Sequence, residues 1–182
     1  MIDLTPDQQA QLLRPAAVEK MGQRRTVPSE RCLPLGFPLA TLLTPVTKLI
    51  QSPGILVMLM EEGNAYRQIY LDGRPLPKDP QPSWFGYSTG HWEGETLVVE
   101  TNGLNDKTFL DGVGHPGSES MHITERYLRR DVGHLDVQLM FDDPVYYTRP
   151  WGVTVHHISQ VDSDILEYIC EENEKDQAHL TR

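Results

Sequence analysis

The sequence predicts a mainly β fold, an antiparallel up-and-down β-barrel with a short N-terminal helix and a proline-rich arm. Three observations predict it. From Ile55 onward, short apolar runs rich in Val, Ile and Tyr alternate with turn residues, the pattern of successive hairpins. The 182 residues suit one domain that buries roughly two thirds of its surface. Ahead of the hairpins stands one helix signal and then a run of prolines. On this reading residues 1–30 form a helical arm and residues 31–182 a single β domain.

Thr5-Pro6-Asp7 is a helix start, with Thr5 as cap, Pro6 at the first helical position and Asp7 facing the positive end of the helix dipole. One helix to about Met21 is expected. Pro28, Pro34, Pro38, Pro45 and Pro53 then remove backbone donors and favour extended chain, so this stretch reads as an arm over the barrel ending in strand pieces.

Four hairpins follow. Ile55–Met60 and Tyr66–Leu71 turn at Gly63-Asn64, which sets Met58 opposite Ile69 and Leu56 opposite Leu71. After a proline-rich excursion from Pro75 to Pro82, Gly86–Trp92 and Thr96–Thr101 turn at Glu93-Gly94-Glu95. Met121–Arg129 and His134–Phe141 turn at Asp131-Val132-Gly133, pairing Glu125 with Leu139 and Tyr127 with Val137. Trp151–Ser159 and Ile165–Glu172 turn at Asp162-Ser163 and place His157 opposite Tyr168. Eight such strands suit a barrel of the lipocalin or calycin type, whose interior holds one small ligand; a two-sheet sandwich is the alternative.

Composition narrows the partners. The chain is 38% apolar with a formal net charge of −10, and no stretch approaches the ~20 apolar residues of a membrane span. This describes a soluble globular protein. Its acidity argues against nucleic acid, and the compact basic runs are only Arg24-Arg25 and Arg129-Arg130. A small molecule or another protein is expected, with an edge strand or the N-terminal helix able to support a homodimer. The start of the chain has neither the basic nor the apolar region of a signal peptide, which places it in the cytoplasm if native and in the periplasm if trimmed. Cys32 and Cys170 read either as two buried thiols or as one disulfide from arm to last strand.

Glu125 draws attention because alternation sets it among Ile123, Tyr127, Leu135, Val137, Leu139 and Phe141, where an ionised carboxylate is costly unless paired. Burial would raise its pKa into the range of a general acid or base; pairing with Arg129 on the same face would make it structural instead. His157 and Tyr168 share the inward face of the last hairpin with Val155 and Cys170, either as a proton-transfer pair or as satisfied core groups. His156-His157 is a poor metal motif, since strand neighbours point to opposite faces. The loop from Asn102 to Glu119 carries Gly103, Gly112, Gly114 and Gly117 and reads as a lid; Asp111, His115, Glu119 and His122 could gather a metal there. Trp84, Phe85, Trp92, Phe141, Tyr146, Tyr147 and Trp151 offer flat surface to an aromatic ligand, or ordinary core packing. Serine-hydrolase and dinucleotide motifs are missing from the sequence.

At Arg67–Pro75, Gly90–Thr101 (GHWEGETLVVET), Ser118–Tyr127 (SESMHITERY) and Asp143–Trp151 the chain resembles a large family of uncharacterised bacterial proteins, acidobacterial in type and common in soil organisms. The likeness covers roughly residues 30 to 180. It implies a secreted setting, since members carry a signal peptide and a longer N-terminal region, and it brings no activity with it. The segments around His91, Glu100, Asp106, Asp111, Glu119, His122 and Glu125 match its recurrent motifs, as do Cys32 and Cys170.

These readings lead to an enzyme without an organic cofactor, with Glu125 and either His122 or His157 as acid and base, and Asp111 on the closing loop. It would isomerise, eliminate or cyclise a small apolar or aromatic molecule held by Tyr127, Tyr168, Trp92, Phe141 and Trp151. A non-catalytic binding barrel is the first alternative. A metal-dependent enzyme using Asp111, His115 and His122 is the second.

Overall fold

A period of two runs through the strands and decides which side chains face inward. In the computed structural model, which describes residues 4–23, 32–43 and 46–169, the strands are β1 (Thr47–Ser52), β2 (Ile55–Met60), β3 (Ala65–Tyr70), β4 (Tyr87–Glu93), β5 (Thr96–Asn102), β6 (His122–Arg129), β7 (His134–Asp142) and β8 (Trp151–Ile158). They lie side by side in chain order as one eight-stranded sheet curled into a half-barrel, antiparallel except where β3 meets β4. The expected barrel class therefore holds, with β1 and β8 as the sheet's edges. Leu56, Met58, Ile69, Leu97, Val99, Ile123, Val137, Leu139 and Phe141 form its buried inner face. Each such side chain contributes about 1.5–3 kcal/mol by leaving water.

The N-terminal helix begins as expected. Thr5 and Gln8 cap α1 (Pro6–Leu12) reciprocally, each side chain accepting the other's backbone N–H. The single expected helix is broken, however, because Pro15 cannot continue the turn before it; it starts α2 (Pro15–Gln23) instead. Between them Arg14 donates through its backbone N–H to Tyr146 O at 2.9 Å and through Nε to Tyr147 O at 2.9 Å, tying the arm to one end of the half-barrel. A further helix, α3 (Leu39–Leu43), interrupts the proline-rich stretch and buries Leu39 and Ala40. The arm's final strand piece is β1.

Four expectations change. The β2–β3 connection uses Glu61 to Asn64, with Gly63 and Asn64 at positive φ, so Met58 faces Arg67 and Leu56 faces Ile69. A slip of two residues keeps every side chain on its predicted face. The proline-rich excursion carries the chain back along the sheet, so that β4 joins β3 in parallel over Ile69↔Ser88 and Tyr70↔Thr89 only. The expected strand at Ile165 is absent among the described residues; residues 159–169 form a strap instead. Its polar start, Ser159-Gln160-Val161-Asp162-Ser163-Asp164, lacks strand alternation. Asp164 pairs with Lys48 of β1 at 2.8 Å, and the Leu166 N–H donates to Glu61 at 3.0 Å.

The fourth change concerns the glycine-rich loop, which is a plug rather than a lid. Leu104, Leu110, Asp111, His115 and Met121 are all buried at one end of the half-barrel. Asp111 Oδ1 accepts the N–H groups of Val113, Gly114 and His115, and Asp143 accepts the N–H and hydroxyl of Ser118. As for the cysteines, Cys32 is disulfide-bonded rather than a free thiol, and Cys170 lies outside the described residues.

β7 and β8 approach so closely that a Cβ on Gly152 would sit 2.2 Å from the Leu139 carbonyl oxygen, a backbone atom that cannot step aside. Gly152→Ala is expected to destabilise the protein by about 1–3 kcal/mol in urea unfolding. Gly133→Ala, where the nearest atom is the Asp131 side chain at 3.6 Å, is expected to change stability by no more than about 0.5 kcal/mol.

Candidate functional site

Alternation along β3 and β6 points Arg67, Ile69, Ile123, Glu125 and Tyr127 into the half-barrel, and the register stacks them at mid-height. Arg67 and Glu125 are each about 1% exposed at the side chain. The carboxylate's partner is therefore Arg67, not Arg129, which is exposed and donates to the carbonyls of Asp131 and Val132.

Arg67 meets Glu125 with both arms of its fork: Nη1 donates to Oε1 at 3.1 Å and Nη2 to Oε2. Its other N–H groups reach Ser88 Oγ at 3.1 and 3.2 Å, Thr101 Oγ1 at 2.8 Å and Met58 Sδ at 3.8 Å. The guanidinium plane lies over the Phe37 ring, 3.7 Å from its centroid. Tyr127 donates its hydroxyl to Glu125 Oε1. Burial, followed by the neighbouring carboxylate, pushes the Tyr127 phenol well above its ordinary pKa, so it keeps its proton. The result is a polar layer across an apolar barrel, with every guanidinium donor used.

On one side of this layer the interior is packed. Phe141, Tyr147 and Trp151 cluster with ring centroids 5.0 and 5.2 Å from Trp151, beneath the plug. On the other side lies a cavity of about 380 Å³, within the usual range of small-molecule sites. Glu125 and Tyr127 line it with Leu49, Met58, Leu135, Val137, Leu139 and His157, and the strap residues Ser163, Asp164 and Ile165 border its mouth. Burial, then the adjacent His156, lowers the His157 pKa from its ordinary 6.5, leaving the ring neutral at pH 7. A second cleft of about 420 Å³ opens where β3 and β4 part, walled by Tyr66, Trp84, Phe85 and Tyr87. Arg67 lines it too, with its donors already committed.

The structure thus brings Glu125, Tyr127 and His157 to one cavity and leaves the other expected residues elsewhere. His122 faces outward from β6, 3.8 Å from Glu100, because it sits one residue out of phase with Ile123. Tyr168 does not face His157; its backbone N–H and carbonyl are bonded to the Asn64 side chain. Trp92 is 52% exposed at the strand end, whereas Phe141 and Trp151 belong to the packed side. Asp111 is held by His115, Oδ2 to Nδ1 at 2.7 Å, inside the plug, while Glu119 is exposed. Among the described residues no three metal-capable side chains gather, so Asp111, His115 and His122 do not converge. Arg67, Ser88 and Thr101 were missed by the sequence reading; Arg67's signal was its phase with Ile69. No protein-family model, curated protein or solved structure matches this chain.

Two outcomes follow from the burial of these groups. Arg67→Met, which strands the carboxylate, is expected to cost about 3–5 kcal/mol in urea unfolding, and adding Glu125→Leu to restore most of it, since a buried pair is far less costly to replace than to break. For His157, the unfolded ring takes up its proton near 6.5 and the folded ring only below that, so the unfolded chain binds more protons and stability falls as pH drops from 6.5. In His157→Gln the stability curve from pH 7 to pH 5 is expected to be flatter.

Proposed function

We propose that this protein takes a small apolar or aromatic molecule into the half-barrel cavity and acts on it by general acid/base chemistry, without an organic cofactor. Isomerisation, elimination and cyclisation are the reaction types that such a site suits. The observation that carries the reading is the meeting of His157, Tyr127 and Glu125 on a cavity that they share with Leu49, Met58, Leu135, Val137 and Leu139. His157 is the base: its ring is neutral at pH 7 and can accept a proton from a substrate carbon or oxygen. Glu125, already held by Arg67, serves as an acceptor at the floor of the cavity that orients the polar group of a substrate beside the imidazole. Tyr127 stays protonated and fixes the carboxylate in place. Leu49, Met58, Val137 and Leu139 offer the apolar body of a substrate a surface to pack against.

A binding protein without catalysis is the second reading, favoured by one observation. Both Glu125 oxygens already accept hydrogen bonds from Arg67 and Tyr127, so the carboxylate is paired before any ligand arrives.

Proton abstraction has a signature that does not require the natural substrate. Small apolar ketones, enones and aryl ketones incubated with the protein in deuterium oxide are expected to exchange protons next to the carbonyl at least tenfold faster than with His157→Gln, as read by proton NMR. Ligand-induced shifts without exchange in the parent protein would contradict the catalytic reading and leave binding alone.

A further inference from the structure

Hydrogen-bonding capacity at the floor of the cavity is unequal. Every N–H of Arg67 is committed to Glu125, Ser88, Thr101 or Met58, and the Tyr127 hydroxyl proton is committed to Glu125 Oε1. The floor therefore has no donor left. Acceptors do remain. Glu125 Oε1 receives both Arg67 Nη1 and Tyr127, whereas Oε2 receives Arg67 Nη2 alone and keeps one lone-pair direction. The Tyr127 oxygen, which gives its proton away, also keeps its acceptor capacity. Neutral His157 on the wall adds one acceptor and one donor. Among the described residues that line the cavity, the one lysine or arginine is Lys48, paired with Asp164 at 2.8 Å.

Building on the small-molecule reading above, we infer that the cavity selects molecules with a hydroxyl or phenol on an apolar body, taken in donor-first, and rejects carboxylates at its floor. A hydroxyl placed between Glu125 and His157 donates to the carboxylate and accepts from the imidazole N–H. An ether brings no hydrogen to donate to Oε2 or to the Tyr127 oxygen, and a carboxylate brings only acceptors to a floor that has no donor left. Burying such groups unmatched is what makes a site of this kind discriminate strongly between close analogues.

The test uses three molecules of one shape: 4-pentylphenol, 4-pentylanisole and 4-pentylbenzoate, each competing against the fluorescent probe N-phenyl-1-naphthylamine on the full chain. The phenol is expected to displace the probe at a concentration at least tenfold below that of the anisole or benzoate. Leu49→Trp, which fills the cavity from β1 opposite Met58, is expected to abolish that preference. Equal competition by the three, or tighter binding of benzoate with its head at Lys48, would overturn the inference while leaving the cavity a binding site. Failure of the probe and all three molecules to bind saturably would overturn the small-molecule reading, and this inference with it.

Discussion

A guanidinium and a carboxylate buried together inside an apolar half-barrel constrain what surrounds them. Taking both charges out of water costs several kcal/mol for each ion, and the attraction between them offsets this only if the remaining hydrogen-bonding positions are filled as well. The barrel fills them from four strands: Met58 on β2, Ser88 on β4, Thr101 on β5 and Tyr127 beside Glu125 on β6. Phe37, from the arm, covers the guanidinium face. Such a network fixes strand register, because a shift of one residue in β3 would turn Arg67 out to solvent and leave Glu125 alone inside. Arm, sheet and polar layer are therefore one construction.

The layer also divides the interior. Beneath it the aromatic cluster and the buried plug fill the barrel, and above it Leu49, Leu135, Val137 and Leu139 stand around a cavity whose floor has its donors paired from within. This is why the site is read through His157 rather than Glu125. The histidine has lost solvent without gaining a partner that favours its charged form, whereas the carboxylate has gained two partners. The strap crossing from β8 to β1 and the β2–β3 turn borders the open side of the cavity, held by Lys48–Asp164 and by Glu61 and Asn64.

Much of the sheet was legible because strand alternation is a local signal. The β6–β7 register, with Glu125 facing Leu139 and Tyr127 facing Val137, follows directly from a short turn between two well-patterned strands. The β2–β3 register was misread by two residues because a four-residue connection looks like a two-residue turn when Gly and Asn sit inside it. That error did not matter for the faces. The β8 partner was misplaced for a different reason: residues 165–169 have strand-like composition, but the groups they bond to, Glu61 and Asn64, lie more than a hundred residues earlier, and nothing local reports that. Arg67 was legible and passed over, since the phase that places Ile69 inside places Arg67 there too. The loop was misjudged because glycines suggest mobility, while Asp111 and Asp143, which anchor it, act through bonds invisible in the sequence.

The measurement that bears most directly on this account is a crystal structure of the protein under xenon pressure. Xenon atoms are predicted between Met58, Leu49, Val137 and Leu139, on the far side of an intact two-pronged Arg67–Glu125 pair with Tyr127 bonded to the carboxylate. An interior that takes up no xenon, or a Glu125 side chain turned away from Arg67 towards solvent, would contradict it.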